Sequence, residues 1–294
     1  MISSPLRYPG SKAVLVDYFT SVIDNNELEG CHFYEPYAGG ASMSLALLSL
    51  GLVGRATLME RDPLLFAFWR CVTQDNDNLR REVSKLHVNM KEWTAYQKFL
   101  HPAALDRYTL LTLAKACVFL NRANFSGILH AGPIGGMAQA SEYTVDCRFN
   151  KERVLSQIEA IKPIARRIKV LHGNAVSYLR QQRLRIAKEH SLVYIDPPYY
   201  QQGRKLYRFH YKDRNHQELA AFLNTAPFSW VVSYDNHPFI KRTFHGQKIV
   251  PIKINYAVKQ SRRADELLIS NIPLPLPVYE TTSRSNPAYK TLTA

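Results

Sequence analysis

Cysteine is scarce in this chain, with four residues in 294: Cys31, Cys71, Cys117 and Cys147. No two stand at the close spacing of a zinc knuckle or a redox motif. At least three lie in apolar segments, so buried free thiols are expected. The ten histidines are equally scattered, and the closest pair, His210 and His216, fits neither a helical i, i+4 pair nor a zinc-finger pair. No metal site is expected. No stretch reaches the ~18 uninterrupted apolar residues of a membrane span. Even Leu110–Leu120 is broken by Lys115. The first residues, Met-Ile-Ser-Ser-Pro-Leu-Arg, lack the apolar segment of a secretory signal, so the expected location is the cytoplasm. There is no internal repeat and no low-complexity tract.

What is present is a core-forming composition with an excess of positive charge. Hydrophobic residues make up 46% of the chain and aromatic residues 11%, enough to exclude a disordered polypeptide. Lys plus Arg number 38 against 24 Asp plus Glu, a formal charge of +14. The excess is uneven: Lys151–Arg214 holds 15 cations and 5 acids. Arg180, Arg183, Arg185 and Lys188 read as a solvated helix face. In Arg204–Arg214 the cations alternate with Tyr207, Phe209 and Tyr211, a pattern suited to phosphates and bases.

Short apolar runs alternate with helical segments, which predicts a largely parallel α/β sheet. Strands are expected at Phe33–Tyr37, Ala56–Glu60, Ile168–Leu171, Leu192–Ile195 and Trp230–Ser233. Ser42–Leu50 reads as a helix behind a glycine turn, and another helix starts near Pro63. The alternation stops at about 76: residues to 120 look helical, and 121–150 read as an ordered loop region. Ile249–Ile254 and Leu267–Ile269 are expected as strands joined by the basic loop Lys259–Arg263. So short a connection makes them antiparallel, because parallel neighbours need a crossover. The expected organisation is a sheet domain from 1–75 and 151–272, a helical insertion at 76–150, and a poorly ordered tail at 273–294.

The strongest local signal is Val193-Tyr194-Ile195-Asp196-Pro197-Pro198-Tyr199-Tyr200. An apolar strand delivers an acid to its carboxyl end, where open α/β sheets place ligands. The prolines remove two amide donors and stop the ladder, leaving carbonyls free to accept hydrogen bonds. An acid, free carbonyls and an aromatic ring together suit a planar base bearing an exocyclic amino group.

Asp196–Tyr199 resembles the catalytic tetrad of amino-group methyltransferases in its adenine-associated form. Arg7-Tyr8-Pro9-Gly10-Ser11-Lys12, Phe33–Ser42 and Asn121–Gly127 resemble further motifs of the DNA adenine methylase family, in the same order. Ser233–Asn236 and Glu266–Ile269 resemble its terminal segments. The resemblance implies a Rossmann-like, S-adenosylmethionine-dependent methyltransferase sheet with a target-recognition insertion. It implies double-stranded DNA as the substrate, and a role in restriction-modification, phage defence or epigenetic marking, with cognate restriction or defence proteins as partners. Methylation of adenine in RNA, and a catalytically silent DNA-binding protein of the same fold, stay open as alternatives.

In that setting Asp196, Pro197, Pro198 and Tyr199 are the catalytic candidates, with the amino N–H groups on Asp196 and the Pro197 carbonyl, and Tyr199 stacked on the base. Glu35, Pro36, Gly39 and Gly40 form a turn that lets the backbone approach the cofactor. Glu60 ends the second strand, placed to accept ribose hydroxyls, while neighbouring Asp62 reads as a helix cap. The resemblance adds Tyr8, Lys12 and Asn174 as cofactor contacts, and Asp196 beside its catalytic role. It makes Asn121, Arg122, Asn124 and Ser126 candidates for phosphate or base-edge contacts, and puts Ile128 and His130 at base-reading positions. His130 stands where well-known relatives have arginine, so their GATC target is not implied. Arg204, Lys205, Arg208 and Lys212 are expected to hold the DNA backbone beside the base.

Overall fold

The computed structural model describes residues 1–8, 10–201, 203, 210–256, 262–276, 278–279 and 289–290. Along the chain run α1 (Val16–Asn25), β1 (His32–Glu35), α2 (Ser42–Ser49), β2 (Arg55–Glu60) and α3 (Pro63–Gln74). A helical stretch follows with α4 (Asn76–Ser84), α5 (Met90–Tyr96) and α6 (Leu110–Ala123), and then α7 (Lys151–Glu159). The alternation resumes with β3 (Ile168–His172), α8 (Ala175–Lys188), β4 (Ser191–Ile195), α9 (Asp213–Leu223), β5 (Ser229–Asp235) and α10 (Pro238–Thr243). The chain closes with β6 (Lys248–Tyr256), β7 (Arg262–Ser270) and a small ladder of β8 (Val278–Tyr279) with β9 (Tyr289–Lys290).

The main sheet has seven strands in the order β3-β2-β1-β4-β5-β7-β6. All neighbours are parallel except β7, which runs antiparallel to both β5 and β6. The expected mixed sheet with an antiparallel terminal pair is therefore the observed one. Tyr256 pairs with Arg262, so Arg262 and Arg263, expected in the connection, belong to the strand instead. Residues 257–261 of that connection lie outside the described residues.

Both faces of the sheet are covered, and the period of two in the strands sorts their side chains. Phe33, Leu192 and Tyr194 point into a cluster shared with α1, α2, α3 and α6. Tyr34, Val193 and Ile195 point the other way, into a cluster shared with α8, α9 and α10. The helices of residues 76–150 bury Leu79, Val83, Trp93 and Leu113 in the first of these clusters. Helix starts follow local chemistry: Asp62 accepts from Leu64 N at 2.9 Å and caps α3 ahead of Pro63, as expected.

The start of the expected tail is docked. The Tyr18 hydroxyl donates to the Pro275 carbonyl at 2.7 Å, and Leu274 packs against the core. Cys31, Cys71 and Cys117 are buried free thiols, and Cys147 is exposed. Among the described residues no helix is long and apolar enough to cross a membrane, and no cluster of metal-binding side chains occurs.

Candidate active site

The order of the sheet reverses between β1 and β4, the place where open α/β sheets form a crevice at their carboxyl edge. The main cleft lies there. Its lining includes Glu35, Pro36 and Gly40 after β1, Glu60 after β2, and Asp196 and Pro198 after β4. Asp196 leaves β4 directly after the buried Ile195. One carboxylate oxygen accepts the Ser233 hydroxyl at 2.6 Å, and the other lies 3.2 Å from Lys12 Nζ. Lys12, expected as a cofactor contact, is buried at 4% exposure between Asp196, the Gly10 carbonyl at 2.8 Å, the Tyr199 hydroxyl and Glu266 at 3.8 Å. Asp235 at the end of β5 accepts the Tyr200 and Gln201 amides at 2.9 and 2.8 Å, clamping the chain just past the tetrad.

Tyr199 departs from expectation. It is buried, its hydroxyl donates to Glu266 at 2.6 Å, and neither it nor Pro197 lines the cleft. The tyrosines lining the cleft are Tyr8, Tyr37 and Tyr211, and the hydroxyls of Tyr37 and Tyr211 meet at 2.5 Å. Tyr200 is stacked on Phe239, with ring centroids 4.6 Å apart, and belongs to the second core cluster.

The glycine turn is built around Tyr8. Gly39 has φ +46, and a Cβ there would stand 2.5 Å from the Tyr8 ring. Only a residue without a side chain lets that ring close on the turn. The Gly39 amide donates to Glu60 at 3.0 Å, and the Arg61 and Asp62 amides donate to its other oxygen at 2.8 and 3.1 Å. Glu35 turns inward and accepts the amide and hydroxyl of Ser44 in the first turn of α2. Asn174 lines the cleft while capping α8 through Ser177 N at 3.0 Å.

Burial pushes the Glu35 carboxyl up to about 8, reinforced by the Asp196 charge and opposed by the Ser44 donors. Between the ordinary carboxylate range and pH 8 the folded chain then holds a proton that the unfolded chain has released. Stability contributed by this group is therefore lost as pH rises, by at most about 1.4 kcal/mol per unit. Burial also raises Glu60, to about 7, while it lowers His216 to about 4, so both act mainly below pH 7. Between pH 7 and 8 Glu35 carries the larger part of this loss and Glu60 the remainder. There the thermal midpoint of the wild type is expected to fall with pH, and that of Glu35→Gln to stay flatter. Parallel slopes in the two proteins would refute a protonated Glu35.

The expected DNA contacts divide. Ile128 and His130 line the cleft. Ser126, half-buried, adopts φ 55 in the turn before them. Asn121 and Asn124 are wholly buried. Asn121 accepts the Arg7 amide at 2.8 Å and donates to the carbonyls of Arg7 and Gly127 at 2.7 and 2.9 Å. Asn124 accepts from the Trp93 indole at 2.7 Å and donates to the Leu129 carbonyl at 2.6 Å. These side chains pin the loop to the body of the protein, with Asn121 at the wall of the cleft. Arg122 is turned to the N-terminal segment, donating to the Pro5 carbonyl. Lys212 is exposed ahead of α9, and Arg204, Lys205 and Arg208 lie outside the described residues. The sequence marks neither Ser233 nor Glu266 as a site residue, since Glu266 stands beside Asp265 at the edge of the apolar run Leu267–Ile269.

No curated protein matches the chain at a significant level. Among solved structures, yhhF from Escherichia coli, described as a methyltransferase, is 11% identical, covering 92% of this chain and 90% of that one with a TM-score of 0.35. SMU.776, described as a methyltransferase and solved with SAH, is 10% identical, covering 87% of this chain and 49% of that one with a TM-score of 0.34. A family model also matches the chain. It runs over residues 8–258, from Tyr8 on the glycine turn through the Asp196 corner to β6. That span takes in the cleft and nearly the whole sheet, and by it the chain belongs to the D12 class of N6 adenine-specific DNA methyltransferases.

Proposed function

We propose that the chain transfers a methyl group from S-adenosylmethionine to the 6-amino group of an adenine flipped out of duplex DNA into the cleft. The reading rests on one juxtaposition: the glycine turn after β1 and the Asp196 corner after β4 line the same crevice. The residues fit the cofactor. Tyr8, Ala38, Gly40 and Ala41 of the turn line the cleft, and Glu60 faces it with three amides bound. A carboxylate offers about four acceptor positions, so Glu60 retains one for a ribose hydroxyl. Bound there, S-adenosylmethionine supplies an activated methyl group on a positively charged sulfur.

The protein's part is orientation and electrostatics. The adenine amino lone pair is delocalised into the ring and attacks poorly. Asp196 has one contact on each oxygen, from Ser233 and Lys12, and so keeps acceptor capacity for an amino N–H. Pro198 lines the cleft beside it, and neither proline of the tetrad has an amide donor to continue the sheet ladder. Acceptors fixed before the reaction favour the positive charge that develops on nitrogen and hold it in line with the methyl carbon.

Base flipping costs a few kcal/mol of stacking, and a side chain that fills the gap offsets it. Phe125 supports this part of the reading: it is 63% exposed, beside the cleft-lining residues 127–130. Its own amide is tied to the Gly132 carbonyl at 2.9 Å, so a solvent-facing ring is held on a fixed backbone. An apolar wedge of this kind inserts between base steps. Phe125→Ala is expected to lower turnover about tenfold, the worth of one base stack, with the thermal midpoint unchanged. An unaltered fluorescence change from 2-aminopurine at the target position would remove Phe125 from this role.

The whole reading is tested by transfer of labelled methyl groups from S-adenosylmethionine to adenine-containing duplexes and to RNA, beside calorimetric binding of the cofactor. Transfer to duplex DNA is the expected result. Measurable cofactor binding with no transfer to any DNA would end it, and transfer confined to RNA would replace it.

A further inference from the structure

We infer that Glu266 is a positioning residue of the methyl-transfer site, holding Tyr199 by its hydroxyl and sharing the Lys12 ammonium with Asp196. The inference rests on the function proposed above. Glu266 is 1% exposed and followed in β7 by the buried Leu267, Leu268 and Ile269. A buried carboxylate is costly unless it is paired and hydrogen-bonded, so its partners matter. Two of them belong to the site: the Tyr199 hydroxyl at 2.6 Å and Lys12 Nζ at 3.8 Å.

The register of the sheet explains how a distant strand reaches the tetrad. Glu266 pairs with Asp235, the residue that clamps the Tyr200 and Gln201 amides. Two acids side by side on β5 and β7 therefore hold the same corner, one through the backbone after the tetrad and one through its tyrosine. Lys12 lies between the carboxylates of Asp196 and Glu266 and also meets the Tyr199 hydroxyl.

The consequence for chemistry follows from charge. An ammonium shared between two carboxylates withdraws less electron density from each than one paired with a single acid. With the charge of Glu266 removed, Lys12 bears more strongly on Asp196 and weakens it as an acceptor for the adenine amino group. Tyr199 at the same time loses the charged partner that fixes its hydroxyl. Glu266 thus acts through Lys12 and Tyr199 without touching the substrate.

Glu266→Gln keeps the shape and an oxygen acceptor for Tyr199 but deletes the charge. Turnover on an adenine-containing duplex is expected to fall about tenfold or more, with KM for DNA and for S-adenosylmethionine within about threefold of wild type. A residue that merely supports the fold would not split kcat from KM in this way. Tyr199→Phe is expected to lower turnover as well, and less than additively when combined with Glu266→Gln, because both cut one network. Glu266→Gln turnover within about threefold of wild type, or additive losses, overturns the assignment. If Glu266→Gln does not fold, Tyr199→Phe decides: full activity there is equally fatal. A wild-type chain that methylates no duplex overturns the parent reading instead, before any variant is compared.

Discussion

Asp196→Ala is expected to reduce methyl transfer to adenine by about 10²- to 10³-fold or more while the protein stays folded and binds S-adenosylmethionine. The large effect follows from the position of this carboxylate. It ends β4, lines the cleft and is the one tetrad side chain that offers anionic acceptors there. Without it the developing positive charge on the amino nitrogen faces no preorganised counter-charge. The small structural effect follows from its partners. Ser233 keeps the Tyr194 hydroxyl at 3.0 Å, and Lys12 keeps the Gly10 carbonyl and Glu266. No buried group is orphaned, so the stability change stays near ~1 kcal/mol. Turnover retained above about a tenth of wild type, measured with labelled cofactor at saturating DNA, would contradict the role given to Asp196.

Asn121→Ala is expected to have the largest effect on stability. The residue resembles a family DNA contact by sequence, yet its side chain closes three hydrogen bonds with backbone groups that lie far along the chain. It ties Arg7, one residue before Tyr8, to α6 and to the loop that carries Ile128 and His130. Gly127 packs against the same spot: it has φ +77, and any Cβ would collide with the Arg7 carbonyl. Alanine at 121 leaves the Arg7 amide and two carbonyls without partners in a place with no exposure. The loss is about 2–4 kcal/mol, on the scale of a broken buried network. Urea unfolding should show it as a lower midpoint with an unchanged slope. A stability change below about 0.5 kcal/mol combined with a tenfold loss of DNA affinity would restore Asn121 to the interface.

These two variants mark the boundary of what local sequence conveys. The strands, the glycine turn, the capping of α3 by Asp62 and the acid at the end of β4 are each set by residues within a few positions. Period-two apolar runs, proline's missing donor and a short polar cap act at that range, so they are readable without the fold. The antiparallel ending was readable as well, because a short connection excludes a crossover.

The partners of polar side chains were not. A buried asparagine and a DNA-contacting asparagine have the same side chain, and only the chain 114 residues away decides which one Asn121 is. The Tyr199 ring was expected against a base, but Glu266, 67 residues further on, takes its hydroxyl inside the protein. Lys12 meets Tyr199 across 187 residues. The sequence by itself determined the strands, the antiparallel ending and the acid that follows β4, since each follows from steric and solvation preferences of neighbouring residues. Tertiary structure alone decided which polar groups serve the cleft and which hold it together, because a hydrogen bond is satisfied by whatever the fold brings within 3 Å.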